Sequence, residues 1–197
     1  MIFCGLNPAA SAARAGHNFS SRSNRFWRVL HLSGFTDVRL QPEDEHRLLE
    51  YGCGITTVVG RPTKRADEIL SEEFLNARFG FESKIRSYAP RSIAFLGKRA
   101  LSVMIGRPDV EWGQHAAGFA GAMAWVLPNP SGLNRSFSLD SSGGIIFRVS
   151  DGAVWQLGED AQVDMIFDEI ESSSHARVRA CVQLGYSSMK FEITDKT

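Results

Sequence analysis

Four short apolar runs, near residues 2–6, 54–59, 92–96 and 123–127, alternate with stretches of helical spacing, and this alternation restricts the fold more than any other feature. The runs are dense in Ile, Val, Phe and Leu, as strands buried on both faces are. Between them, residues 24–32 place Phe26, Trp27 and Leu30 at helical spacing behind an Asn cap. Pro42 opens a helical stretch over 43–51, and 64–70 and 72–88 carry further amphipathic pattern before Pro90. A last helix over 98–105 follows Gly97. Strands alternating with helices pair in parallel, so the order predicts an α/β domain: three layers, α/β/α, around a mostly parallel central sheet.

After about residue 137 the pattern changes. Residues 140–144 read as a turn or linker, and 145–149 and 153–157 flank Ser150-Asp151-Gly152 as a hairpin would. Val163, Ile166, Phe167 and Ile170 have helical spacing, whereas 177–184 and 189–194 alternate like strands. The reading is a main domain over 1–137 and a small α+β extension over 138–197.

The formal charge of zero conceals an asymmetry. Residues 1–135 hold 17 Lys and Arg against 12 Asp and Glu (+5), and 136–197 hold 5 against 10 (−5). Arg14, Arg22, Arg25 and Arg28, with His17, fall in one acid-free stretch, which suits either a phosphate-rich partner or an ordinary solvated face. Three scattered cysteines without a C-x-x-C pair argue against a disulfide framework, and neither they nor the histidines show metal-ligand spacing. No apolar run approaches the roughly 18 residues of a membrane span. The first strand begins at the start of the chain, so a cytoplasmic protein with no membrane partner is expected.

Two Asn-Pro steps follow strands directly: Gly5-Leu6-Asn7-Pro8 and Pro128-Asn129-Pro130-Ser131-Gly132-Leu133. Proline ends the strand and presents each Asn at its carboxyl end, where open α/β sheets bind ligands. Asn7 either caps a turn or orients a water or a base edge, since an amide offers both donor and acceptor. The second loop is either an ordinary strand-to-helix turn or an exposed apolar tip, Leu133, flanked by polar groups and Arg135, a form suited to wedging between bases. Phe19, in a polar loop, either stacks on a base or anchors the loop. No Walker A, G-x-G-x-x-G, zinc-deaminase or G-x-S-x-G motif occurs, so kinase, dehydrogenase, deaminase and hydrolase-elbow readings lose support.

Seven blocks occur in one order: Gly5-Leu6-Asn7-Pro8, Asn24-Arg25-Phe26-Trp27, Gly34-Phe35-Thr36-Asp37, Cys53-Gly54-Ile55-Thr56, Arg61-Pro62-Thr63, Leu96-Gly97-Lys98 and Asn129-Pro130-Ser131-Gly132-Leu133. Together they resemble the mismatch-specific uracil-DNA glycosylases, the Mug and thymine-DNA glycosylase group, over residues 1–137. The resemblance implies a cofactor-free, metal-free, monomeric enzyme that flips uracil from a G·U mismatch in double-stranded DNA and hydrolyses its N-glycosidic bond. It implies that Asn7 positions the attacking water and that Leu6, Ser11, Ala12 and Phe19 surround the flipped base. Asn129, Pro130, Ser131, Gly132, Leu133 and Arg135 would enter the duplex and read the widowed guanine, and Arg22, Asn24 and Arg25 would contact phosphates. The chain departs from the family pattern where Ala9 replaces a glycine, where Ala12 replaces a serine, and in its acidic extension. Those departures suggest two alternatives: a broader glycosylase for hypoxanthine, xanthine or ethenocytosine, or a catalytically weak DNA-binding module regulated by its tail.

Overall fold

A computed structural model describes residues 1–134 and, beyond them, the backbone of the strand segments 137–139, 145–148, 154–157, 162–166, 177–181 and 191–194. The chain divides into two compact units, Met1–Asn24 with Pro42–Asn129, and Arg25–Gln41 with Pro130–Thr197.

The first unit is built on a five-stranded sheet of β1 (Ile2–Gly5), β2 (Gly54–Thr57), β3 (Ser92–Leu96), β4 (Gly113–Phe119) and β5 (Ala122–Leu127), in the order β2-β1-β3-β5-β4. β1, β2, β3 and β5 are parallel and β4 is antiparallel, so the sheet is mostly parallel as expected. The central strand β3 is buried at all five residues, which explains the apolar run Ile93-Ala94-Phe95-Leu96 after Ser92. Helix α3 (Ser71–Tyr88) contributes buried Phe74, Phe81 and Ile85, and α4 (Lys98–Ile105) contributes Ala100, Leu101 and Met104. Phe81, Phe95 and Phe119 meet with ring centroids 5.1 to 6.3 Å apart. Burying each such ring stabilises the fold by about 1.5–3 kcal/mol.

β4 has no counterpart in the sequence reading. Its residues Gln114-His115-Ala116-Ala117-Gly118 have weak strand propensity, and the strand forms because the turn after it suits a hairpin. Ala120 (φ 50°) and Gly121 (φ 90°) both adopt the left-handed conformation that tight hairpin turns require. A register shift lies between His115 and Phe119, and there Gly118 has φ 63°. A Cβ at Gly118 would stand 2.7 Å from the Ala122 carbonyl oxygen, so only glycine fits. Residues 42–51 form a 3₁₀ helix, and 64–70 shorten to one 3₁₀ turn at Ala66–Glu68. A short helix α1 (Ala10–Ala15) follows the first Asn-Pro step.

The second unit contains helix α2 (Phe26–Leu32), whose buried Phe26 and Trp27 meet edge to face at 5.1 Å. Arg25, rather than Asn24, is the residue directly before the helix; it has helical backbone angles and its side chain makes no cap bond. The described segments after residue 134 are β6 (Phe137–Leu139), β7 (Ile145–Arg148), β8 (Val154–Leu157), β9 (Gln162–Ile166), β10 (Arg177–Cys181) and β11 (Phe191–Thr194). They pair in sequence as one antiparallel meander. β7 and β8 pair as the hairpin signal implied, and β10 and β11 fall where strands were expected. The helix expected from Val163 and Ile166 is instead strand β9. There Gln162, Asp164 and Ile166 alternate with Val163 and Met165, and pairing with strands on both sides overrides a few residues of helical spacing. Phe167, Ile170, the linker 140–144 and the hairpin tip 150–152 lie outside the described residues.

Candidate active site

Because β1 and β5 are parallel, their carboxyl ends share one edge of the sheet, and both Asn-Pro steps leave from that edge. The chain after β1 does not float free. Val58 and Val59 donate backbone N–H bonds to the carbonyls of Gly5 and Leu6 at 3.2 and 2.9 Å, and Thr63 donates to Pro8 at 3.2 Å. Ala10, opening α1, donates back to the Thr63 carbonyl at 2.7 Å. The segment holding Asn7 is thus stitched along its length to residues 58–63.

Asn7 is fixed as firmly as its backbone. Its Nδ2 donates to the Arg61 carbonyl at 2.7 Å and to the Thr63 hydroxyl at 2.9 Å. A carbonyl can only accept, so the amide has one permitted orientation, with both N–H groups turned to the protein. Oδ1 is the remaining group, and among the described residues it has no hydrogen-bond partner. The buried Thr63 hydroxyl donates to the Arg65 carbonyl at 2.8 Å, so its lone pair faces Asn7. The turn bearing that Arg61 carbonyl is anchored in turn. The Arg61 guanidinium grips Glu73 through two bonds of 2.8 Å and reaches the Glu68 carbonyl at 3.0 Å. Glu73 also accepts the Leu70 N–H at the start of α3, and these bonds, Arg61 first, hold its carboxyl at about 2. Arg61 and Thr63 were visible in the sequence as one block, but only the fold shows that they grip Asn7.

Phe19 is brought to the end of β1, fourteen residues away in sequence. A Cβ at Gly5 would touch the tip of its ring at 3.8 Å and the Thr57 methyl at 3.6 Å. Phe19 has φ 54°, an uncommon conformation for a bulky residue and one that must be held by its surroundings. The preceding Asn18 supplies part of the hold: its backbone N–H and its Nδ2 both donate to Glu45, at 2.8 and 2.9 Å. Glu45, in the 3₁₀ helix, gave no sequence signal. Ser11 is exposed on the first turn of α1, Ala12 is buried, and Leu6 packs on the core of the unit. Asn129 stands beside Gly97, whose φ of 112° lets the chain turn there from β3 into α4.

In the second unit, the loop from Pro130 to Asn134 carries Leu133 at its tip, 79% exposed. Pro130 is buried, and the Asn134 N–H closes a turn on the Ser131 carbonyl at 3.0 Å. Arg25, expected among the phosphate contacts, directs its side chain into this loop. It donates to the carbonyls of Pro130, Ser131 and Asn134 at 3.4, 2.6 and 3.0 Å. Burial pushes the guanidinium down from its ordinary value, and arginine remains charged throughout the working range. Arg22 is exposed and Asn24 sits in a turn on the Ser21 carbonyl; Arg135 lies outside the described residues.

Cys4 and Cys53 are buried, and burial raises both thiols above the ordinary range, which suits packing rather than nucleophilic attack. Among the described residues no three His, Cys, Asp or Glu side chains converge as metal ligands, and no helix is long and apolar enough to cross a membrane. The first unit therefore holds an anchored neutral amide at a sheet edge and an aromatic ring beside the same strand, and the second unit holds a clamped loop with an apolar tip. A family model of the uracil DNA glycosylase superfamily matches residues 1–143. That match spans the sheet, both Asn-Pro loops and the residues that fix them, so the chain belongs to the uracil DNA glycosylase superfamily, and its activity class is DNA glycosylase, a hydrolase acting on damaged bases in DNA.

Proposed function

We propose that the protein is a monofunctional uracil-DNA glycosylase of the mismatch-specific group, which acts on uracil flipped from G·U pairs in double-stranded DNA. The observation that supports this most is the orientation of Asn7. Its two donors are tied to Arg61 and Thr63, and its Oδ1 is left as an acceptor at the sheet edge. An acceptor there orients a water by accepting a hydrogen bond from it and aims the water's lone pair at the anomeric carbon. As the bond from C1′ to the base nitrogen lengthens, positive charge spreads over the sugar and the electron pair leaves with uracil. Water oxygen then bonds to C1′, its proton is released, and an abasic site and free uracil result. An amide cannot take the proton itself, so catalysis rests on positioning and slow turnover is expected. Phe19 offers a face for the extruded base, and the Leu133 loop fills the space it leaves. A mispaired uracil costs less to unstack than a paired one, which favours mismatches without a discriminating pocket. The enzyme works as a cytoplasmic monomer.

The test is a panel of labelled substrates: G·U, A·U, single-stranded uracil, and duplexes with hypoxanthine, xanthine or ethenocytosine, each treated with alkali after incubation. G·U should be cleaved fastest, and Asn7→Ala should abolish most cleavage while duplex affinity is retained. No cleavage of any uracil substrate at stoichiometric enzyme refutes the reading, and faster cleavage of another base replaces it with the broader-range one.

A further inference from the structure

We propose that Arg25 is a positioning residue that shapes the Pro130–Asn134 loop for entry into the duplex, rather than a phosphate contact; the part about duplex entry rests on the glycosylase reading above. The loop's apolar tip, Leu133, is exposed, and within the loop the Asn134 N–H donates to the Ser131 carbonyl and the Leu133 N–H to the Ser131 hydroxyl. Arg25 supplies four more. Its backbone N–H and its Nε both reach the Pro130 carbonyl, and Nη2 bridges the carbonyls of Ser131 and Asn134. Three carbonyls spread over five residues converge on one planar cation, whose fixed fork sets the distances between them. The clamp also has a rigid mount. Arg25 leads directly into α2, where Phe26 and Trp27 are buried against each other. A loop that must push an apolar tip between stacked bases has to keep its shape under load, and a clamp of backbone carbonyls does this whatever the side chains at the tip.

Arg25→Lys separates the two roles, because lysine keeps the charge and loses the fork. Cleavage of G·U duplex should fall about tenfold, from the loss of one to two hydrogen bonds. Cleavage of single-stranded uracil, which needs no wedge, should hold. Amides of the peptide spanning 128–136 should exchange faster with solvent, and adding Leu133→Ala to Arg25→Lys should cost duplex cleavage nothing further. Wild-type duplex cleavage in Arg25→Lys overturns the proposal in favour of a charge contact, and equal losses on duplex and single strand overturn it in favour of general destabilisation. If the wild type cleaves no uracil substrate, the glycosylase reading fails by itself. The clamp is then judged on amide exchange alone, where an unchanged loop refutes it. If Arg25→Lys does not fold, phenylglyoxal labelling of the wild-type protein decides: Arg22 should react well before Arg25, and equal reactivity refutes the clamp.

Discussion

Replacing Thr63 by valine tests whether Asn7 works because it is held. The change keeps the shape of a buried side chain and removes one hydroxyl. That hydroxyl accepts from Asn7 at 2.9 Å and donates to the Arg65 carbonyl at 2.8 Å, so two hydrogen bonds are lost together. Each is worth about 1 kcal/mol, so Thr63→Val should cost about 2 kcal/mol of stability. For a protein of this size that lowers Tm by about 4–8 °C. Only the bond to Asn7 bears on the chemistry. The Arg61 carbonyl still dictates which way the amide faces, but one of its two tethers is gone. A loss of about 1 kcal/mol in positioning slows the cleavage step roughly fivefold. The assay is single-turnover cleavage of G·U duplex at saturating enzyme, alongside thermal unfolding. Thr63→Ser, which keeps the hydroxyl, should restore the rate. In an Asn7→Ala background Thr63→Val should leave residual cleavage unchanged, because the group it positions is absent. An unchanged rate in Thr63→Val with a lowered Tm would refute the reasoning, since Thr63 would then stabilise the loop without aiming Asn7.

Three further outcomes are expected. Leu133→Ala removes an apolar tip that is 79% exposed, so it should leave Tm unchanged and reduce duplex cleavage while single-stranded cleavage persists; a matched loss on both substrates would contradict the wedge role. Glu73 is held at about 2 by Arg61 and the Leu70 N–H, below its ordinary 4.5, so its contribution to stability is present above pH 4.5 and disappears as pH falls toward 2. Acid unfolding followed by circular dichroism should show a smaller drop over that window in Glu73→Gln than in wild type, and identical profiles would count against the pair. Gly118→Ala places a methyl 2.7 Å from the Ala122 carbonyl at a φ of 63°, and should destabilise the protein by about 1–3 kcal/mol in denaturant titration. A neutral result would mean that the β4 hairpin relaxes freely.

The parallel strands were legible because burial on both faces leaves a local mark. Residues 93–96 are apolar throughout, and all of 92–96 is buried. The Asn-Pro steps were legible for a similar reason, since proline acts on its immediate neighbour and ends a strand wherever it falls. β4 was not, because a sheet edge asks little of its side chains and the decision lay in two left-handed turn residues. The helical reading of Val163 and Ile166 failed for the opposite reason. A few apolar positions fit either period, and pairing on both sides of β9 settled the choice.

By itself the sequence determined the α/β class, the two loops at the strand ends, and the residues proposed to meet DNA: Asn7, Phe19 and Leu133. What only the tertiary structure decided is which groups hold them. Thr63 and Arg61 lie more than fifty residues from Asn7, Glu45 lies 27 from Asn18, and Arg25 lies more than a hundred from the loop it clamps. Arg61 accepts through its backbone carbonyl and Arg25 grips backbone carbonyls of the loop, groups that every residue carries alike, while the Thr63 hydroxyl and the Glu45 carboxylate are ordinary side chains until folding sets them beside their partners. Side chains this far apart in sequence leave no local pattern, so these pairings exist only once the chain has folded.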